Sequence, residues 1–283
     1  MINKLKLKSA ILVNLKPEFV NYILHIGDSI VVKLDSVIKD KAKMDNSFLN
    51  KFSPSNLPLD ILYEDDYLLI ISKIAGIAIH PSFNNYENTL SNAVAPYLAK
   101  QNIGSIHILT RLDKNTSGVC IFAKNEYIQE LFNRKKDSIC MQKEYICLVD
   151  GIMEKDHDII LTNIARKPDS IITREINKKG LYAKTEYFTL KRSISKNISL
   201  LKVILHTGRT HQIRVHLASI SHVLLGDSLY SQEYGIDAKY ISKYITRQAL
   251  HAIKISFKHP ITGVDISVIS NIPYDMQCII DEM

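Results

Sequence analysis

Apolar residues in this chain fall into short separated runs, and most of those runs read as strands rather than helices. Tyr67 to Ile71 and Val119 to Ala123 are almost continuously apolar, the mark of strands covered on both faces. Lys143 to Gly151 reads as a strand closed by an Asp-Gly turn, and Thr185 to Leu190 and Ser199 to Leu205 as two strands joined by a polar turn. Leu250 to Phe257 alternates, and Pro260 to Gly263 makes the next turn. Helical spacing is rarer. Residues 88–100 place Leu90, Val94 and Leu98 on one face; residues 125–136 do the same with Tyr127, Ile128, Leu131 and Phe132; Val215 to Ser221 also reads as helix. Strands outnumber helices, which predicts an α+β fold around a central mixed, mostly antiparallel sheet with flanking helices.

The first part of the chain is different. Ala10 to Val13 and Gly27 to Leu34 read as short strands around a turn at Asn14 to Pro17. A polar, lysine-rich stretch over 36–57 then reads as a linker. The expected division is a small unit with its linker over 1–52 and one large domain over 53–283. A chain of 283 residues that is 46% hydrophobic can build such a core. Cys120, Cys140, Cys147 and Cys278 show no paired or C-x-x-C spacing, which fits reduced thiols in a cytoplasmic protein better than disulfides or zinc. No apolar run approaches the length of a membrane span, and the start has no secretory pattern. A net charge of +7 and a pI near 9.0 point towards a polyanionic partner, most simply nucleic acid or an anionic membrane.

Two stretches concentrate polar chemistry. The first, Thr110 to Gly118, is a polar loop ahead of the buried run at Val119, with Asp113 at its centre. A carboxylate there suits either a turn cap or a nucleophile held on a rigid mount. The second, Leu205 to Ala218, packs Arg209, His211, Gln212 and Arg214 into a strand-to-helix junction, where exposed N–H groups and guanidinium groups favour an anion. His206, His211 and His216 are spaced five apart, which does not put them on one helix face as a metal triad requires. Ser117 lacks the G-x-S-x-G elbow of a hydrolase.

The motif T-R-L-D-K-N-T-S-G over Thr110 to Gly118 resembles the R-L-D-x-x-T-S-G signature of the RluA-type pseudouridine synthases. Four further stretches resemble that family in the same order: Ile61 to Gly76 with His80 and Pro81, Lys143 to Gly151, Thr207 to Ala218 with Gly226 to Tyr230, and Leu250 to Ala252 with His259 to Gly263. The resemblance implies the pseudouridine synthase fold with a catalytic cleft, and an isomerase that converts uridine to pseudouridine in structured RNA without cofactor or metal. It makes Asp113 the nucleophile, Tyr145 the active-site tyrosine and Arg214 the partner of the carboxylate. Arg111 would fill the space left by a flipped base or contact phosphate, Leu250 would pack beside Tyr145, and Arg209, His211 and Gln212 would meet RNA. Thr110 stands where most relatives have His, and Ile74 where they have Pro.

The small N-terminal unit resembles the end of an alpha-L type RNA-binding module without its leading helix pair, which points to large-subunit rRNA ahead of tRNA. A non-catalytic RNA-binding or ribosome-assembly factor on the same fold is the rival reading. No obligate protein partner is marked, and a monomer is expected.

Overall fold

The structure, a computed structural model, describes residues 11–19, 21–32, 57–81, 87–134, 136–236 and 244–283. β1 (Ile11–Val13), β2 (Lys16–Pro17) and β3 (Ile30–Val32) form a small antiparallel sheet in the order β2-β1-β3. β1 and β3 follow the two short apolar runs of the N-terminal unit, whereas β2 lies in the stretch expected to be a turn, paired to β1 through Lys16 and Pro17. The expected linker lies, but for its last residue, outside the described residues.

The remaining strands form one large sheet. They are β4 (Asp60–Glu64), β5 (Leu68–Lys73), β6 (His107–Ile108), β7 (Ser117–Ala123), β8 (Gln142–Asp150), β9 (His157–Arg166), β10 (Arg174–Ile176), β11 (Leu181–Ser193), β12 (Ile198–Leu205), β13 (Leu250–Lys258) and β14 (Asp265–Ile269). The main path runs β10-β9-β11-β12-β8-β13-β7-β5-β4, with β14 on β13 and β6 on β7. Every pairing is antiparallel except β13 with β7, where His251 faces Ser117 and Ala252 faces Gly118. This parallel pair is the seam of the sheet. Gly118 has φ +112°, and a Cβ on it would lie 2.2 Å from the Ala252 carbonyl oxygen, so only glycine permits the close approach.

The helices cover both faces. α1 (Leu90–Lys100) buries Leu90, Val94 and Leu98 against Leu69, Ile71, Cys120 and Phe122. Its start is fixed by a capping box: Thr89 Oγ1 accepts from the Asn92 N–H, and Asn92 Oδ1 accepts from the Thr89 N–H. α2 (Glu126–Arg134) buries Ile128, Leu131 and Phe132 against the other face of β5 and β7. It is followed by the short α3 (Lys136–Ile139). α4 (Gln212–Ser219) packs Ile213 and Leu217 with Tyr145, Val203 and Leu250, and α5 (Ser228–Glu233) follows it. α6 (Tyr274–Asp281) places Met276 and Ile279 against Ile146, Leu148 and Leu200 on the opposite side of β8 and β12.

The expected fold class holds, but α3, α5, α6 and β6 were not among the expected elements, and three further differences stand out. β9 and β10 lie in a region whose polar interruptions gave no clear period. β11 has 13 residues where six were expected, because an outward face of Tyr182, Lys184 and Glu186 masks the buried Ala183 and Thr185. α4 begins three residues early, at Gln212, whose side chain is an internal brace rather than a solvated helix start.

Candidate active site

The loop after β6 and the turn after β12 face each other across a cleft of about 430 Å³, lined by Thr110 to Asp113, Thr116, Lys143, Tyr145, Leu205, Gly208 to Arg214 and Leu250, among others. That size suits a nucleoside. Asp113 stands in the cleft wall with its side chain 25% exposed, four residues ahead of β7. Its loop is fastened to the body at three successive positions. Lys73, 1% exposed, donates to the carbonyl of Lys114 at 3.0 Å, and to those of Ile74 at 2.9 Å and Ile77 at 3.0 Å. The Arg247 guanidinium donates to the Asn115 carbonyl at 3.1 Å while gripping Asp275 of α6 at 2.7 and 2.9 Å. Gln248 Nε2 donates to Thr116 Oγ1 at 3.3 Å. Burial lowers the Lys73 ammonium pKa to about 8, and its three carbonyl acceptors suit the charged form.

Arg214 reaches Asp113 Oδ2 from α4, Nη1 donating at 3.3 Å. Its strongest partner is Asp227, which accepts from Nε at 2.6 Å and from Nη2 at 2.8 Å. The Arg214 guanidinium also lies 4.8 Å from the centre of the Tyr230 ring. Burial works against its charge, but the hydrogen bonds and charge of Asp227, with Asp113 adding, hold its pKa above the ordinary arginine value. His211 sits at the N-cap of α4 in the left-handed region, φ 58° and ψ 18°. Its Nδ1 is 2.8 Å from the Tyr230 hydroxyl, and its Nε2 is 3.7 Å from Asp113 Oδ2. Burial first, and Arg214 after it, lower the His211 pKa against the pull of Asp113.

Tyr145 projects from β8 into the same space and is 7% exposed. Burial pushes its phenol well above the ordinary range, and the Asp113 charge adds to that. The ring is therefore neutral at physiological pH and offers an apolar face with one hydroxyl. Leu250, the first residue of β13, packs in the same cluster as Tyr145 and lines the cleft.

The other expected site residues divide. Arg111 is exposed at the cleft wall and makes no ion pair among the described residues. Arg209 is exposed and donates from Nε to the Tyr182 carbonyl at 3.0 Å. Gln212 departs from the expected RNA contact: it is 2% exposed and its amide is spent inside the chain. Oε1 accepts from Thr207 Oγ1 and the Arg209 N–H, and Nε2 donates to the Lys184 carbonyl and Thr185 Oγ1. Thr110 is buried, and its hydroxyl accepts from the Ile121 N–H at 2.9 Å, so this departure from the family pattern serves loop packing.

Lys73, Asp227, Tyr230 and Arg247 were not singled out from the sequence. Each lies in or beside a matching motif, but a lysine that bonds only to carbonyls and an aspartate that holds an arginine look like ordinary surface residues in one dimension. Among the described residues no cluster of three or more His, Cys, Asp or Glu could hold a metal ion. None of the described helices is long and apolar enough to cross a membrane.

Known proteins resemble this chain in sequence and in fold. Residues 67–219 match the family model for RNA pseudouridylate synthase. The chain is 34% identical over 259 residues to the uncharacterized RNA pseudouridine synthase YhcT of Bacillus subtilis (strain 168), spanning 91% of this chain and 82% of that protein. It is 36% identical over 236 residues to the ribosomal large subunit pseudouridine synthase D of Zymomonas mobilis, spanning 79% of this chain and 72% of that one. In three dimensions it resembles human RNA Pseudouridylate Synthase Domain Containing 1, with a TM-score of 0.59 at 22% identity over 77% of this chain and 84% of the other, a likeness of fold. The chain belongs to the RNA pseudouridylate synthase family, of the RluA type, and is an RNA pseudouridine synthase.

Proposed function

We propose that this enzyme isomerises specific uridines of large-subunit rRNA to pseudouridine, with Asp113 as nucleophile. The observation that carries the reading is the convergence of Asp113, Tyr145 and Arg214, from three separate elements, on one nucleoside-sized cleft. In the reaction the N1–C1′ glycosidic bond breaks and a C5–C1′ bond forms; the base loses the C5 proton and regains one at N1, so no atom is gained or lost. An ionised carboxylate can attack an electrophilic carbon and leave again. Arg214, donating to one carboxylate oxygen, orients Asp113 in a partly dry site. Tyr145, neutral and flat, stacks against the uracil through its rotation, and Leu250 backs it.

The target base must leave its stack to reach Asp113. Arg111, exposed and unpaired among the described residues, suits either the vacated space or a phosphate, and Arg209 a phosphate on the opposite wall. The rRNA assignment draws on relatives named ribosomal large subunit pseudouridine synthase D. It also draws on the small N-terminal sheet, which we read as a remnant of an alpha-L type RNA-binding module. We place the enzyme in the cytoplasm, where such RNA is found.

The test is pseudouridine mapping on total RNA from cells lacking the gene and complemented with wild type or Asp113→Ala. Wild type should restore modification at discrete uridines of large-subunit rRNA, and Asp113→Ala at none. Restoration by the variant overturns the nucleophile, and restored sites confined to tRNA overturn the rRNA assignment.

A further inference from the structure

Asp113 takes its hydrogen bond from Arg214 at one oxygen only. Nη1 reaches Oδ2 at 3.3 Å, and His211 Nε2 approaches the same oxygen at 3.7 Å. No hydrogen bond among the described residues reaches Oδ1. Which proton His211 presents to the carboxylate depends on its tautomer, and the groups behind it decide that.

Tyr230 is wholly buried. Its hydroxyl oxygen already accepts from the Arg174 main-chain N–H at 3.1 Å. Among the described residues the hydroxyl proton has one acceptor within reach, His211 Nδ1 at 2.8 Å. The alternative, Nδ1–H donating to the same oxygen, would strand the phenolic proton in the core, at the full desolvation cost of an unpaired donor. Nδ1 is therefore the acceptor, and the ring hydrogen sits on Nε2, facing Asp113. His211 lies in the left-handed region, which a residue with a Cβ occupies only where its surroundings hold it there. That backbone twist is what turns one ring towards both Tyr230 and Asp113.

We infer that His211 is a positioning residue: as a neutral Nε2–H donor set by Tyr230, it joins Arg214 in holding Oδ2 of Asp113 and leaves Oδ1 as the oxygen that attacks. This rests on Asp113 being the nucleophile. It replaces the expected RNA contact of His211 with a contact to the carboxylate. The 3.7 Å separation is the open form of a contact that shortens when the cleft is filled and water leaves.

The test uses bulk RNA from cells that lack the enzyme, grown with [5-³H]uridine. Each turnover expels the C5 hydrogen, so tritium release reads chemistry whichever RNA is the target. His211→Phe keeps a ring and removes the donor; the rate at saturating RNA should fall about 100-fold with the half-saturating RNA concentration unchanged. His211→Gln, whose amide nitrogen can stand where Nε2 stood, should recover to within about tenfold of wild type. Tyr230→Phe frees the tautomer and should lower the rate about tenfold with RNA affinity kept. Thermal unfolding confirms that each variant folds; should His211→Phe fail to fold, the Gln and Tyr230 variants decide. Wild-type rates in His211→Phe or in Tyr230→Phe overturn the inference. So does a raised half-saturating concentration at an unchanged rate, which would make His211 an RNA contact. Asp113→Ala runs alongside: full tritium release there sinks the nucleophile itself, whereas a dead Asp113→Ala with an unimpaired His211→Phe sinks this inference alone.

Discussion

Arg214 gives two nitrogens to Asp227, at 2.6 and 2.8 Å, and only one, at 3.3 Å, to Asp113. The tighter pair is buried, and the looser one reaches the cleft. Asp227 is 3% exposed and also caps α5, its carboxylate accepting from the Tyr230 N–H, so one buried side chain sets both the arginine and the tyrosine behind the site. Asp227→Ala leaves a buried guanidinium half-paired, and we expect a loss of about 3 to 5 kcal/mol in urea unfolding together with loss of tritium release. The double variant Arg214→Met with Asp227→Leu should regain most of that stability and none of the activity, since an apolar pair can replace a buried ion pair in packing but cannot hold Asp113.

His216 and His251 are both buried, and burial lowers each pKa to about 4. A histidine whose folded pKa lies below its unfolded value takes up a proton on unfolding, so stability rises with pH between the two values. From pH 6.5 down to about 4 each should cost the fold about 3 kcal/mol. Urea midpoints across that range should fall steeply for wild type. His216→Gln, which cannot titrate, should show a slope shallower by about one proton.

The seam makes a sharp steric forecast. A methyl group on Gly118 would meet the Ala252 carbonyl at 2.2 Å, whereas one on Gly76, at φ +90°, would meet nothing within 4 Å. Gly118→Ala should therefore destabilise by more than about 3 kcal/mol and abolish activity, and Gly76→Ala by only about 1 to 2 kcal/mol from its backbone conformation. Equal losses in a calorimetric comparison would mean the close approach of β7 and β13 is not what demands glycine.

Lys73 fastens the Asp113 loop through the Lys114 carbonyl. Lys73→Met keeps the length of the side chain and loses all three donors. If Asp113 is the nucleophile as proposed, the rate at saturating RNA should drop at least about tenfold while RNA affinity is unchanged, because a small displacement of a reacting group costs rate and not binding. A gel-shift series beside the tritium assay separates the two.

Much of this was legible in one dimension, and for definite reasons. The runs Tyr67 to Ile71 and Val119 to Ala123 became β5 and β7 because strands buried on both faces leave no polar position to confuse the period. Leu90, Val94 and Leu98 forecast α1 for the corresponding helical reason. β9 was not legible: exposed Ile159 and Leu161 share it with polar residues, and its identity comes from pairing with β11. The site followed the same divide. Asp113, Tyr145 and Arg214 lie within family motifs, so resemblance named them. Asp227 and Tyr230 touch Arg214, and Lys73 and Arg247 touch the Asp113 loop, contacts that only distances reveal.

The order of strands has a consequence for how the enzyme is made. β13, which follows β8 by about a hundred residues, lies between β8 and β7, and its His251 bonds to Ser117 across a separation of 134 residues. As the chain leaves the ribosome, β7 and β8 must wait with facing edges unpaired until residue 250 and its neighbours arrive. Leu250, Gln248 and Arg247, which line the cleft or fasten the Asp113 loop, arrive with them. A nascent or C-terminally shortened chain therefore has Asp113 but no fixed place for it. The cleft can therefore take its final form only once β13 has been made and has closed the gap between β7 and β8.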